Sequence, residues 1–64
     1  MKYYLIRVRL NSQGYESDGT YWGVGLPLYR YFSADSNGSY IRAYDREDAK
    51  ERIRQLDLQA KFFV

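Results

Sequence analysis

Residues 2–10 alternate strictly, with Tyr4, Ile6, Val8 and Leu10 on one side and Tyr3, Leu5, Arg7 and Arg9 on the other, the period-two pattern of a half-buried strand. Turn chemistry follows at Asn11-Ser12-Gln13-Gly14 and again at Ser17-Asp18-Gly19-Thr20, because Gly tolerates the positive φ of tight turns. Strand signals resume at Thr20-Tyr21-Trp22, are punctuated by Gly23 and Gly25, and continue through Leu26–Phe32 as the second strand. Pro27, which cannot donate to a ladder, marks a strand start, an edge or a bulge. Leu28 and Phe32 are assigned inward and Tyr29 and Tyr31 outward. Ala34-Asp35-Ser36-Asn37-Gly38 reads as a hairpin loop leading to a third strand over Ser39–Tyr44, with Ile41 and Ala43 on one side and Tyr40, Arg42 and Tyr44 on the other.

The period then changes. Asp45 has the chemistry of a helix N-cap, Glu47 and Asp48 favour the positive end of the helix dipole, and Ala49, Ile53 and Leu56 recur at i, i+4, i+7. These signals predict a helix over Arg46–Leu56 with an Asp48–Arg52 ion pair, broken by Asp57–Gln59. Gln59–Val64 alternates again as a last strand, Ala60, Phe62 and Val64 against Gln59, Lys61 and Phe63. The expected fold is a single α+β domain over residues 1–64, an antiparallel sheet of about four strands with one helix on one face, in the order β-β-β-α-β.

One helix covers only one face of such a sheet, so the other must meet water or a partner. With the helix on Tyr4, Ile6, Val8, Leu10, Ile41, Ala43 and part of the last strand, the opposite face is expected to present Tyr3, Leu5, Arg7, Arg9, Tyr40, Arg42 and Tyr44, joined by Tyr29 and Tyr31. The long connection 11–25 is a second candidate, where Tyr15, Tyr21 and Trp22 stand beside Glu16 and Asp18 in a mixture suited to a basic or aromatic partner group, the plain alternative being that Tyr21 and Trp22 cap one end of the core. Eight Tyr and one Trp in 64 residues give this surface its character. Tyr, Trp and Arg concentrate at binding hot spots, and Tyr offers large area with few torsions to freeze. Cross-strand aromatic and cation–π pairing that only stabilises a solvated sheet is the plain alternative. A face of this kind suits a protein partner or a second copy, and Tyr stacking with Arg at phosphates suits single-stranded nucleic acid. If it binds, Tyr31→Ala or Arg42→Ala should weaken binding and leave stability nearly unchanged. The helix adds Arg46, Lys50 and Arg54 as an outward basic stripe diluted by Glu47 and Glu51.

Composition narrows the chemistry. The chain has no His and no Cys, which removes imidazole acid/base catalysis, thiolate nucleophiles, disulfides and the usual zinc sites. Glu16 and Asp18 are the only close acidic pair outside the helix and sit in a turn, so no enzyme is expected. Gly23-Val24-Gly25 lacks the third Gly and the following helix of a dinucleotide fingerprint, and Asp35-Ser36-Asn37-Gly38 lacks the Gly and Glu of a calcium loop. No cofactor, metal or small-molecule ligand is implied. A net charge of +2 is too small to require nucleic acid by itself, and the N-terminal strand meets Arg7 too early to be a leader or a membrane span.

The run Tyr21-Trp22-Gly23-Val24-Gly25-Leu26-Pro27-Leu28-Tyr29, followed by Tyr40-Ile41-Arg42-Ala43-Tyr44-Asp45-Arg46-Glu47-Asp48-Ala49-Lys50, resembles small uncharacterised proteins of bacteriophages and bacterial mobile elements. That resemblance carries no activity or binding residue to transfer. It implies a cytoplasmic bacterial setting in which small accessory proteins dock on larger host machinery.

Overall fold

The computed structural model describes residues 2–35 and 37–63. The assignments of Val64 to the side of Phe62, of Ser36 to the loop after the second strand, and of Met1 to the start fall outside that description. The elements are β1 (Lys2–Val8), β2 (Leu28–Phe32), β3 (Ser39–Arg42), α1 (Arg46–Leu56) and β4 (Lys61–Phe62), the expected β-β-β-α-β order of an α+β fold. The sheet runs β3-β2-β1-β4. β1–β2 and β2–β3 pair antiparallel, but β4 pairs parallel to β1, so the sheet is mixed rather than antiparallel. The reason is the helix: a β-α-β crossover returns the chain in the direction from which it left, and β4 lands beside β1.

Helix α1 begins and ends as its sequence dictates. The Asp45 carboxylate accepts the Asp48 N–H at 2.8 Å, while Asp48 reaches back to accept the Tyr44 N–H at 2.9 Å, a reciprocal cap across the first turn. The same Asp48 oxygen takes Arg52 Nε at 2.9 Å, the expected i, i+4 pair. At the other end the Asp57 N–H closes on the Ile53 carbonyl, and Asp57 accepts the Tyr3 phenol at 3.1 Å.

The face that the helix covers is the reverse of the one expected for β1 and β2. The core is Leu5, Tyr29, Ala43, Ala49, Ile53 and Ala60, with Tyr3, Tyr31, Ile41 and Phe62 packed on it. Tyr3 meets Tyr31 edge-on at 5.3 Å, beneath the helix. Tyr4, Ile6 and Phe32 stand on the opposite side. Leu28 and Val8 also belong to that side, yet they are buried because the connection between β1 and β2 folds over them. Ile41 and Ala43 point inward as read from β3.

Leu56 is 74% exposed and leaves the predicted stripe. Arg46, Ala49, Lys50, Ile53 and Asp57 face the sheet instead, and at 3.6 residues per turn Leu56 lies about 80° from the centre of that row. Arg46 therefore does not point outward: its Nη1 donates to the Leu5 carbonyl at 2.6 Å. Lys50 and Arg54 pair with Glu47 and Glu51 and lie near the Phe62 ring, so the expected free basic stripe does not form.

Residues 10–27 form an arm of two turns held by isolated bridges, Leu10 with Glu16 and Tyr15 with Tyr21. Asn11 Oδ1 caps the first turn by accepting the Gln13 and Tyr15 N–H groups. Gly14 (φ +89°) is buried where the arm doubles on itself, and its carbonyl accepts the N–H groups of Trp22 and Gly23. A Cβ here would fall 2.6 Å from the Gly23 oxygen, so only glycine fits.

Candidate interaction surface

The uncovered face is built by β1, β2, β3 and the chain after β4. Register places Tyr4 opposite Phe32, Ile6 opposite Arg30, and Arg30 opposite Tyr40. Phe63 stacks on Tyr4 at 4.2 Å with planes 14° apart, and Tyr4 stacks on Phe32 at 5.3 Å and 26°. Lys2 Nζ sits 4.4 Å over the Phe63 ring, and the Arg30 guanidinium sits 4.5 Å over Phe32. The Phe63 face that Tyr4 occupies has no room for an ammonium, so Lys2 takes the other. The result is a row of three rings flanked by cations, in which much of the ring-face area is already in contact within the molecule. Beside it Ile6 remains 46% and Tyr4 47% exposed.

Toward β3 the arm supplies the rest. Trp22 packs on Tyr40 at 4.5 Å, and its indole N–H donates to Glu16 Oε1 at 2.9 Å. Arg42 anchors the arm: Nη1 donates to the Leu26 carbonyl at 2.7 Å, and Nη2 to those of Trp22 and Gly23 at 2.8 and 2.9 Å. A groove of about 290 Å³ runs between Glu16-Ser17 and the sheet, lined also by Ile6, Val8, Arg7, Arg9, Arg30 and Tyr40.

The residues singled out from sequence scatter accordingly. Tyr40 and Trp22 stand on the open face, and Arg9 borders its groove with no hydrogen bond, ion pair or ring contact among the described residues. Tyr29 is core at 5% exposure, and Tyr31 is half-buried under the helix, so neither joins the surface. Arg7 is exposed on the helix side of β1 and lies 5.8 Å over Tyr29. Arg42 is turned into the arm. Tyr15 pairs with Tyr21 on the arm at 4.8 Å, and Tyr44 lies beyond β3 near Arg52 at the start of the helix. Sequence reading missed Lys2, Tyr4, Ile6, Arg30, Phe32 and Phe63. No periodic signal separates them, since β1 and β2 carry bulky apolar groups on both sides and only pairing register decides which side the helix takes.

Among the described residues three groups titrate away from their usual range, each for a local reason. Burial, then the hydrogen bond to Asp57, pushes the Tyr3 phenol up. The Tyr44 N–H and then Arg52 hold Asp48 below the usual carboxylate range, and the Thr20 N–H does the same for Asp18. None of the three lines the groove. No group of three or more Asp and Glu side chains suited to a metal occurs among the described residues. No helix among them is long and apolar enough to cross a membrane.

No protein-family profile matches the chain, and no curated protein or solved structure matches it.

Proposed function

We propose that this protein is a non-enzymatic docking module that engages a protein partner through the open sheet face. The observation that carries this reading is the row Phe63–Tyr4–Phe32 beside Ile6, in which Tyr4 and Ile6 are left about half exposed and the two Phe rings partly exposed on the sheet. The molecule measures 35 × 23 × 19 Å, and its thinnest dimension is taken up by one sheet and one helix layer packed about 10 Å apart, so a third layer is lacking. Rings that stack on one another lose little entropy when a partner covers them. The titrating groups with shifted pKa serve a cap, a turn and a helix end, which favours binding over catalysis. The resemblance to phage and mobile-element proteins fits a small cytoplasmic accessory protein of this kind.

Ile6→Glu puts a charge at the centre of the face without touching the core. Affinity capture from a bacterial lysate after nuclease treatment should retain a partner with the wild type and lose it with Ile6→Glu. Equal retention by both would sink the reading.

Single-stranded nucleic acid is the second reading, and charge distribution favours it. Lys2, Arg9, Arg30 and Lys61 lie on or beside the open face, whereas Asp45, Glu47, Asp48, Glu51 and Asp57, five of the eight acids, belong to the helix and its caps. Against it stands the engagement of the ring faces, which bases would need for stacking. Fluorescent oligonucleotide binding that weakens steeply with salt would favour nucleic acid, while salt-insensitive capture would favour protein.

A further inference from the structure

The outer edge of the sheet at β3 carries a consequence separate from the open face. Within a strand, the N–H and C=O of a residue point to one edge and alternate between edges along the chain. The Phe63 N–H bonds the Tyr3 carbonyl at 2.9 Å and Arg46 bonds that of Leu5, so odd residues of β1 face β4 and even ones face β2. Carried through the pairings, this points Tyr29 and Tyr31 at β3, and Ser39 and Ile41 back at β2. Tyr40 and Arg42 are left with both backbone groups directed away from the sheet. No hydrogen bond reaches these four groups among the described residues.

Proteins ordinarily guard such an edge with Pro, Lys, a bulge or a covering segment. Here the opposite edge is guarded, β4 covering Lys2 and Tyr3 and Arg46 capping the Leu5 carbonyl. Among the described residues β3 has none of these devices, and its one charged side chain, Arg42, is folded onto the carbonyls of the arm.

We propose that β3 pairs antiparallel with β3 of a second copy, about a two-fold axis at Ile41. Tyr40 then lies opposite the partner's Arg42, and the pair exchanges its outward N–H and C=O groups in both halves. This register is self-complementary: each Arg42 meets a Tyr40, never another Arg42, and Ile41 meets the partner's Ile41 on the helix side. It is also the register the strand ends permit, because Gly38 (φ +91°) departs from extended geometry and the Tyr44 N–H, the next on the outer side, is already bonded to the Asp48 carboxylate at 2.9 Å. The helices of both copies lie on one side, and the two open faces join on the other. So short an edge buries less than the ~800 Å² per partner of a standard interface, so the dimer is expected to be weak and is to be sought at concentrations from about 10 μM to about 1 mM.

Sedimentation equilibrium over this range tests the pairing. The wild type should move from its monomer mass of 7.7 kDa to twice that value as concentration rises. Tyr40→Pro removes the outward N–H without costing a bond to β2 and should abolish the dimer, whereas Tyr40→Thr, which loses the ring and keeps the N–H, should retain it. Ile6→Glu should dimerise normally, which separates this edge from the docking face. In a mixed-isotope sample of the wild type, intermolecular NOEs between Tyr40 and the partner's Arg42 should appear whether or not Tyr40→Pro folds. A monomer up to about 1 mM, or a dimer lacking those NOEs, overturns the proposal.

Discussion

Arg42 and Tyr31 show how much a single side chain's place decides. Arg42 carries three carbonyl acceptors from the arm, and Tyr31 packs edge-on against Tyr3 beneath the helix. Each therefore contributes to stability, contrary to the expectation that truncation would leave the fold untouched. Arg42→Ala is expected to cost about 1–3 kcal/mol by leaving those carbonyls with water or nothing. Tyr31→Ala should cost a similar or larger amount through lost packing, about 2–4 kcal/mol. Urea unfolding followed by circular dichroism measures both. A midpoint unchanged in either variant would return that residue to the surface.

At the scale of elements, the helix was legible to the residue. Its cap, its acidic first turn and its 11-residue span all follow from local chemistry that acts within one turn, so sequence suffices. Its buried face was not, because Ala49 and Ile53 are the only apolar residues it buries and the remainder of the row is Arg46, Lys50 and Asp57. Long cationic side chains lay their stems on the sheet and keep their heads on carbonyls or carboxylates, a role that apolar periodicity cannot report. Two substitutions separate these readings by thermal unfolding. Ile53→Ala, at 1% exposure, should lose about 2–5 kcal/mol, while Leu56→Ala should stay within about 0.5 kcal/mol of wild type. A comparable loss at Leu56 would restore the i, i+4, i+7 stripe.

For the whole molecule, the shifted groups define a pH window. Asp18 and Asp48 have lowered pKa values in the fold, so the stability they give is present above the usual carboxylate range and is lost as pH falls through their folded values. Tyr3 is raised, so its contribution is present below the usual phenol range and is lost as pH rises through its folded value. Melting temperature should be flat between about pH 5 and pH 9 and fall on both sides. Asp48→Asn should flatten the acid limb and Tyr3→Phe the alkaline one. An alkaline limb as steep in Tyr3→Phe as in the wild type would remove Tyr3 as its source.

The amino-acid order alone determined what is local: the helix and its cap, the turns of the arm, the strand positions, and the fact that one helix leaves one sheet face uncovered. Only tertiary structure decided which face that is. In β1 the side with Tyr4, Ile6 and Val8 reads as the more apolar, yet Leu5 and Tyr29 go under the helix because Ala43, Ala49 and Ala60 leave room there for larger groups. A one-residue change of pairing exchanges the two faces completely, and where both sides carry bulky apolar residues, complementarity of volume across the core makes the choice. The parallel placement of β4 is likewise a property of the crossover, since alternation along a strand is the same whichever way its neighbour runs.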